Sequence, residues 1–226
     1  MPSNVYFTDF HTTAAENQLQ KLKRLMLTAG ARQIDWKGKF VAIKIHFGEP
    51  GNLAFLRPNY ARAVADVIKE LGGKPFLTDC NTLYVGGRKN ALEHIESAYQ
   101  NGFTPYTTGC HILIADGLKG NDEVAVPVQG GDYIKEAKIG RALMDADIVV
   151  SLTHFKCHEN AGIGGVIKNI GMGGGSRAGK MEMHAGGKPL VSNLSACIGC
   201  GSCRRICAHY FIRRRKTAYI HCSCCS

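Results

Sequence analysis

Short apolar runs rich in Val, Ile, Leu and Phe recur at residues 5–7, 41–47, 75–78, 111–115 and 148–153. Each is three to seven residues long and mostly unbroken by charge, the pattern of strands buried on both faces. The segments between them carry helical spacing instead. The first places Leu19, Leu22, Leu25 and Met26 on one side, follows a Thr13/Glu16 pair of capping-box type, and ends at Gly30. A second starts near Pro58, a residue suited to a first helical turn, and lines up Tyr60, Val64, Val67, Ile68 and Leu71 before Gly72 and Gly73. Further helices are predicted over 88–101 and 133–144, with a short strand at 124–128. Strands alternating with helices define an α/β protein with a mostly parallel sheet and flanking helices.

After residue 155 the texture changes, and ten glycines fall between Gly162 and Gly187. Such a stretch reads as a functional loop, here 160–188, or as a linker. The chain of 226 residues exceeds a usual single domain, so an α/β domain over 1–190 and a small appendage over 191–226 are expected. No stretch approaches the roughly 20 apolar residues of a membrane helix, and the opening residues lack a signal-peptide pattern. A cytoplasmic protein without membrane contact is the expectation.

The cysteines sharpen that picture. Seven of the ten crowd into the last thirty residues, while Cys80, Cys110 and Cys157 stand singly. This is not a disulfide framework but a metal pattern. Cys197, Cys200, Cys203 and Cys207 follow the C-x2-C-x2-C-x3-C run of bacterial ferredoxins, predicting a ferredoxin-like segment with a [4Fe-4S] cluster. Structural zinc, the alternative, normally uses two separated ligand pairs. In two-cluster ferredoxins the fourth cysteine of such a run serves the other cluster, and the usual following proline is Ala208 here. Three readings stay open: one of Cys222, Cys224 and Cys225 completes the cluster, Cys207 does so by local rearrangement, or the segment is truncated after its first run. The last is preferred.

The formal charge of +10 invites a nucleic-acid partner, but the basic residues are dispersed and no recognition motif accompanies them, so none is expected. In open α/β sheets ligands bind beyond the carboxyl ends of strands. There the sequence gathers Lys44, His46, Gly48 and Glu49, then Asp79, Cys80 and Asn81, then Asp116, and finally His154, Lys156, Cys157 and His158. Lys44, His46, Lys168, Arg177 and Lys180 form a candidate anion site, with glycine-rich backbone offering amides. His154, Lys156 and His158 are the candidate catalytic residues. His154, His158 and His184 with Cys157 are weighed as a second metal site against ordinary hydrogen-bonded histidines. Gly174, Gly179 and Lys180 copy the spacing of a phosphate-binding loop, but Met181 replaces the required Ser or Thr. Gly162 and Gly164 begin a dinucleotide fingerprint that lacks its third glycine. Neither motif is accepted. Cys80 and Cys110 read as small buried apolar residues.

The wording of residues 41–49 (VAIKIHFGE), 78–82 (TDCNT), 153–158 (THFKCH), 167–173 (IKNIGMG) and 176–180 (SRAGK) resembles the family called domain of unknown function 362, over about residues 4–207. The resemblance implies a ferredoxin-type region at the C-terminal end and, in most members, a second cysteine run, in line with truncation here. Cys157 stands where the family pattern has glycine and Gly174 where it has cysteine. The resemblance supplies no substrate. The expected function is a [4Fe-4S] protein in electron transfer or a redox reaction on an anionic small molecule, an oxidoreductase component with a ferredoxin- or flavodoxin-type partner. The alternative is a binding or regulatory protein that the cluster staples or renders oxygen-sensing. A hydrolase using His154, His158, Glu159 and a further metal is a third reading.

Overall fold

The computed structural model describes residues 3–84, 86–132, 134–158 and 161–184, together with Ile198 and the strand residues 212–214 and 218–220. Along the chain run α1 (Gln18–Thr28), β1 (Phe40–Lys44), α2 (Pro58–Glu70), β2 (Lys74–Asp79), α3 (Ala91–Gln100), α4 (Pro105–Thr108), β3 (Ile112–Ile114), β4 (Glu123–Pro127), β5 (Glu136–Gly140) and α5 (Arg141–Met144). There follow β6 (Ile148–Ser151), β7 (Lys156–His158), β8 (Gly162–Gly164), α6 (Val166–Gly171) and α7 (Arg177–Met183), then β9 (Ile212–Arg214) and β10 (Ala218–Ile220).

Four parallel strands form the sheet in the order β3-β2-β1-β6. Strands β4/β5, β7/β8 and β9/β10 are separate antiparallel pairs. The expected α/β class with a mostly parallel, helix-flanked sheet is observed. Alternation along β1 feeds two apolar clusters. Val41 and Ile43 join Val64 and Ile68 of α2, Leu77, Phe103 and Trp36, whereas Ala42 packs with Phe76, Cys80, Ala115 and Leu143. Both faces of the sheet are therefore covered, which is why its strands read as continuous apolar runs. Strand β1 has β2 and β3 on one side and β6 on the other, so the order reverses between β1 and β6. A crevice opens at the carboxyl ends of strands flanking such a reversal.

Three local expectations differ from the structure. The helix predicted over 133–144 is replaced by β5 and the single turn α5, because Ala137 and Ile139 alternate and pair with Val126 and Val124 of β4. Tertiary pairing overrides the weak helical spacing there. Residues 5–7 form no strand, and Val5 and Phe7 are exposed. The capping box at the head of α1 lies one turn later than expected: Asn17 accepts from Leu19 and Gln20, and Gln20 returns a bond to Asn17, while Thr13 accepts only from the Glu16 amide. The glycine-rich stretch 160–188 is no plain linker either, since β8, α6 and α7 fall within it.

Candidate functional site

Lys44 ends β1 and Ser151 ends β6, on either side of the reversal point. Asn169 of α6 ties the two together. Its Oδ1 accepts from Lys44 Nζ at 2.8 Å, and its Nδ2 donates to the Lys44 carbonyl at 3.1 Å, Ser151 Oγ at 3.0 Å and Thr153 Oγ1 at 2.9 Å. One amide thereby docks the glycine-rich segment onto two strand ends. Gly173, just beyond α6, must be small: a Cβ there would meet Lys44 Nζ at 2.8 Å and the Asn169 carbonyl at 2.2 Å.

Beneath this clamp lies a buried ionic network. Lys44 Nζ pairs with Asp79 Oδ1 at 2.8 Å, Arg88 Nη1 approaches Asp79 Oδ2 at 3.4 Å, and His94 Nε2 stands 3.7 Å from the same oxygen. Arg88 also pairs with Glu49. Burial alone would raise the Asp79 pKa, but Lys44 above all, then His94, His46 and Arg88, hold its carboxyl well below the usual range. Burial and the Arg88 charge act the other way on His94, lowering its pKa to about 3 although Asp79 opposes them. His46 opens into the crevice. Its Nδ1 accepts from the Gly48 amide at 2.9 Å, which leaves Nε2 as the protonated nitrogen of a neutral ring, and the recess and Arg88 lower its pKa to about 4.

The crevice is a cavity of about 570 Å³. This lies within the range of small-molecule sites. The β7/β8 pair and α6 supply one wall, where strand alternation turns Lys156 and His158 inward and Lys168 pairs with His158. Lys180 of α7 closes part of the floor, 7% exposed, with Nζ donating to the Asn81 carbonyl at 2.8 Å. Phe55, Leu83, Tyr84 and Met172 add apolar surface. Five cations, Lys44, Arg88, Lys156, Lys168 and Lys180, face the cavity against two carboxylates, Glu49 and Asp79. Those carboxylates are already engaged by Arg88 and Lys44. Among the described residues no carboxylate lies within 4 Å of Lys156, Lys168 or Lys180, so the surplus is positive.

Of the residues singled out by sequence, Lys44, His46, His154, Lys156, His158, Lys168, Lys180 and His184 converge on this cavity. Arg177 does not line it; its amide donates to Asp116 Oδ2 at 3.0 Å beneath the start of α7. Cys157 is exposed and outside the cavity lining. Among the described residues no group of three His, Cys, Asp or Glu side chains is arranged to hold a metal ion; His154, His158 and His184 all line the cavity. Gly179 and Lys180 sit inside α7, capped by Ser176, and not in a phosphate-cradling loop. Cys80 is buried with Sγ 3.3 Å from the Gly174 carbonyl, and burial pushes its thiol up to about 12. Cys197, Cys200, Cys203, Cys207, Cys222, Cys224 and Cys225, as well as Glu159, lie outside the described residues. Sequence reasoning missed the roles of Asn169, Arg88 and His94. Asn169 adjoins Lys168 in a stretch already singled out, but the spacing of Arg88 and His94 matches that of surface residues on any helix.

The model of the domain of unknown function DUF362 matches residues 41–217, and the chain belongs to that family. The thylakoid-associated protein sll1697 of Synechocystis sp. is 28% identical over 127 residues, which cover 54% of this chain. The match spans about a third of that relative, 34% of its length. No solved structure matches the chain. Among the described residues no helix is long and apolar enough to cross a membrane.

Proposed function

We propose that the chain binds an anionic small molecule in the cavity beyond β1 and β6 and takes part in its redox chemistry as a [4Fe-4S] protein. The observation that carries the binding half is the unmatched charge of Lys156 and Lys168 in a recess whose carboxylates are already paired. A carboxylate or phosphate would restore balance there, with amides of the glycine-rich segment as added donors. His154, Lys156 and His158 are the candidates for proton handling at the wall.

Support for the cluster half is the donor set: Cys197, Cys200, Cys203 and Cys207 bring four thiols within eleven residues, a spacing suited to iron–sulfur rather than to zinc. When bound, such a cluster supplies one-electron transfer. A ferredoxin- or flavodoxin-type partner and a cytoplasmic setting accompany this reading.

Two assays on chain purified without oxygen test it together. Iron and acid-labile sulfide are measured, with electron paramagnetic resonance after dithionite reduction, and inorganic phosphate is titrated calorimetrically. About four iron and four sulfide with a reduced-cluster signal are expected, together with saturable phosphate binding that weakens with salt. Zinc without sulfide would remove the redox half and leave a structural metal; absence of saturable binding of phosphate or of small carboxylates would remove the anion half.

A further inference from the structure

The cations of the cavity are not equivalent. Lys44 is held by Asp79 and Asn169, and Arg88 by Asp79 and Glu49. Lys168 shares a contact with His158, and Lys156 is exposed on β7. Lys180 differs from all of them. Its side chain is buried, it lines the cavity, and its Nζ donates to one neutral acceptor, the Asn81 carbonyl, with no carboxylate within 4 Å among the described residues. Its position is firmly set. Ser176 caps α7 by accepting from the Gly179 amide at 2.9 Å, and the Arg177 amide is fixed by Asp116.

A buried ammonium lacking a counter-ion is the disfavoured form of a lysine, whereas the free amine needs little solvation and is a nucleophile. Burial lowers the pKa of Lys180 from its ordinary value; Cys80, Asp79 and Asp116 oppose that effect, and the Lys44 charge adds a smaller push in the same direction as burial. The remaining cavity supplies what such an amine would need: cations for an anionic handle and an open volume that the Lys180 side chain helps to line.

Resting on the anion-binding reading above, we propose that Lys180 is the reactive amine of this cavity and that its substrates are small anionic carbonyl compounds, with which it forms a Schiff base. The free amine adds to the carbonyl carbon, forming a C–N bond and turning the C=O into a hydroxyl. Protonation of that hydroxyl and loss of water break the C–O bond and leave an iminium joined to Nζ. One carbonyl compound, one free amine and one proton taken from solvent yield one iminium and one water, with no oxidant or reductant consumed.

Pyridoxal 5′-phosphate, an aldehyde carrying a phosphate, is a direct probe. The full chain is incubated with it near pH 7.5, reduced with borohydride, and mapped by peptide mass spectrometry, with and without excess inorganic phosphate. Each unit by which an amine pKa falls raises its free fraction about tenfold at a pH below both values. Label at Lys180 is therefore expected to exceed that at any surface lysine, and phosphate is expected to suppress it. Label concentrated on Lys156 or Lys168 and suppressed by phosphate would overturn the role of Lys180 while keeping the anion site. Label spread over surface lysines and indifferent to phosphate would overturn both.

Discussion

Lys44 Nζ lies 2.8 Å from Asp79 Oδ1, and both side chains are almost wholly buried, at 1% and 4% exposure. Removing one partner of such a pair strands the other charge without water, a change that costs about 3–5 kcal/mol. Asp79→Ala should therefore lower unfolding free energy by that amount, read as a shift of the urea midpoint. Lys44→Met with Asp79→Leu, which removes both charges, should recover much of the loss. Because the Asp79 pKa is held below its ordinary value, its contribution is complete above about pH 4 and declines as the pH falls further. An Asp79→Ala chain as stable as the parent at pH 7 would contradict the network described.

His94 carries a second pH dependence of the same sign. The ring is fully buried, packs edge-on against Phe47 at 5.8 Å between centroids, and has its pKa lowered to about 3. The unfolded chain then binds a proton near pH 6.5 that the folded chain refuses until near pH 3, so stability falls as the pH drops through that window. Between pH 7.5 and 5.0 the loss from this residue is about 2 kcal/mol. Urea titrations at the two pH values should show it, and His94→Phe should reduce the difference by about that amount, leaving the part owed to His46, whose pKa is also lowered. An unchanged slope in that variant would assign the dependence elsewhere.

Asn169 and Gly173 make a sharper claim about the site than about the fold. Asn169→Ala leaves the Lys44 carbonyl and ammonium each short of a partner, an effect of about 1–3 kcal/mol. It also frees α6 from β1 and β6. Phosphate affinity should therefore fall by at least about tenfold, the equivalent of 1.4 kcal/mol, as measured by calorimetry. Gly173→Ala should act similarly by forcing Lys44 away from its position. Retained affinity in both variants would show that the clamp does not shape the cavity.

What could be read from the sequence divides along physical lines. The parallel strands announced themselves because both faces are covered, so β1 and β2 carry unbroken apolar runs; α2 was marked by Pro58 and its apolar stripe. The rule that ligands lie beyond strand ends gathered Lys44, His46 and Lys156, and the glycine-rich stretch added Lys168 and Lys180, all five of which line the cavity. Strand β5 was missed because its period-two signal spans only five residues and its partner β4 is amphipathic and solvent-facing. Arg177 was misplaced because sequence spacing cannot tell which side of a short helix faces a cavity. Arg88 and His94 were missed because their burial depends on Asp79, contributed by a separate strand. The exposed Val5 and Phe7 show the limit of apolar runs as strand signals when no partner strand is paired with them among the described residues.

The three singly placed cysteines should separate cleanly in reactivity. Only the thiolate attacks an alkylating reagent. With its pKa pushed up to about 12, Cys80 holds a thiolate fraction near pH 8 roughly three orders of magnitude below that of an ordinary thiol. Cys110, 5% exposed, is also raised by burial, whereas Cys157 stands open on β7. Iodoacetamide at pH 8, followed by peptide mapping, should modify Cys157 within minutes and reach Cys80 and Cys110 only after denaturant is added. Equally fast labelling of Cys80 in the folded chain would mean that its thiol meets the cavity as a nucleophile. Protection would leave Cys80 a packing residue against Gly140 and Ala115, where its sulfur, 2.7 Å from where a Cβ on Gly140 would stand, keeps that position a glycine.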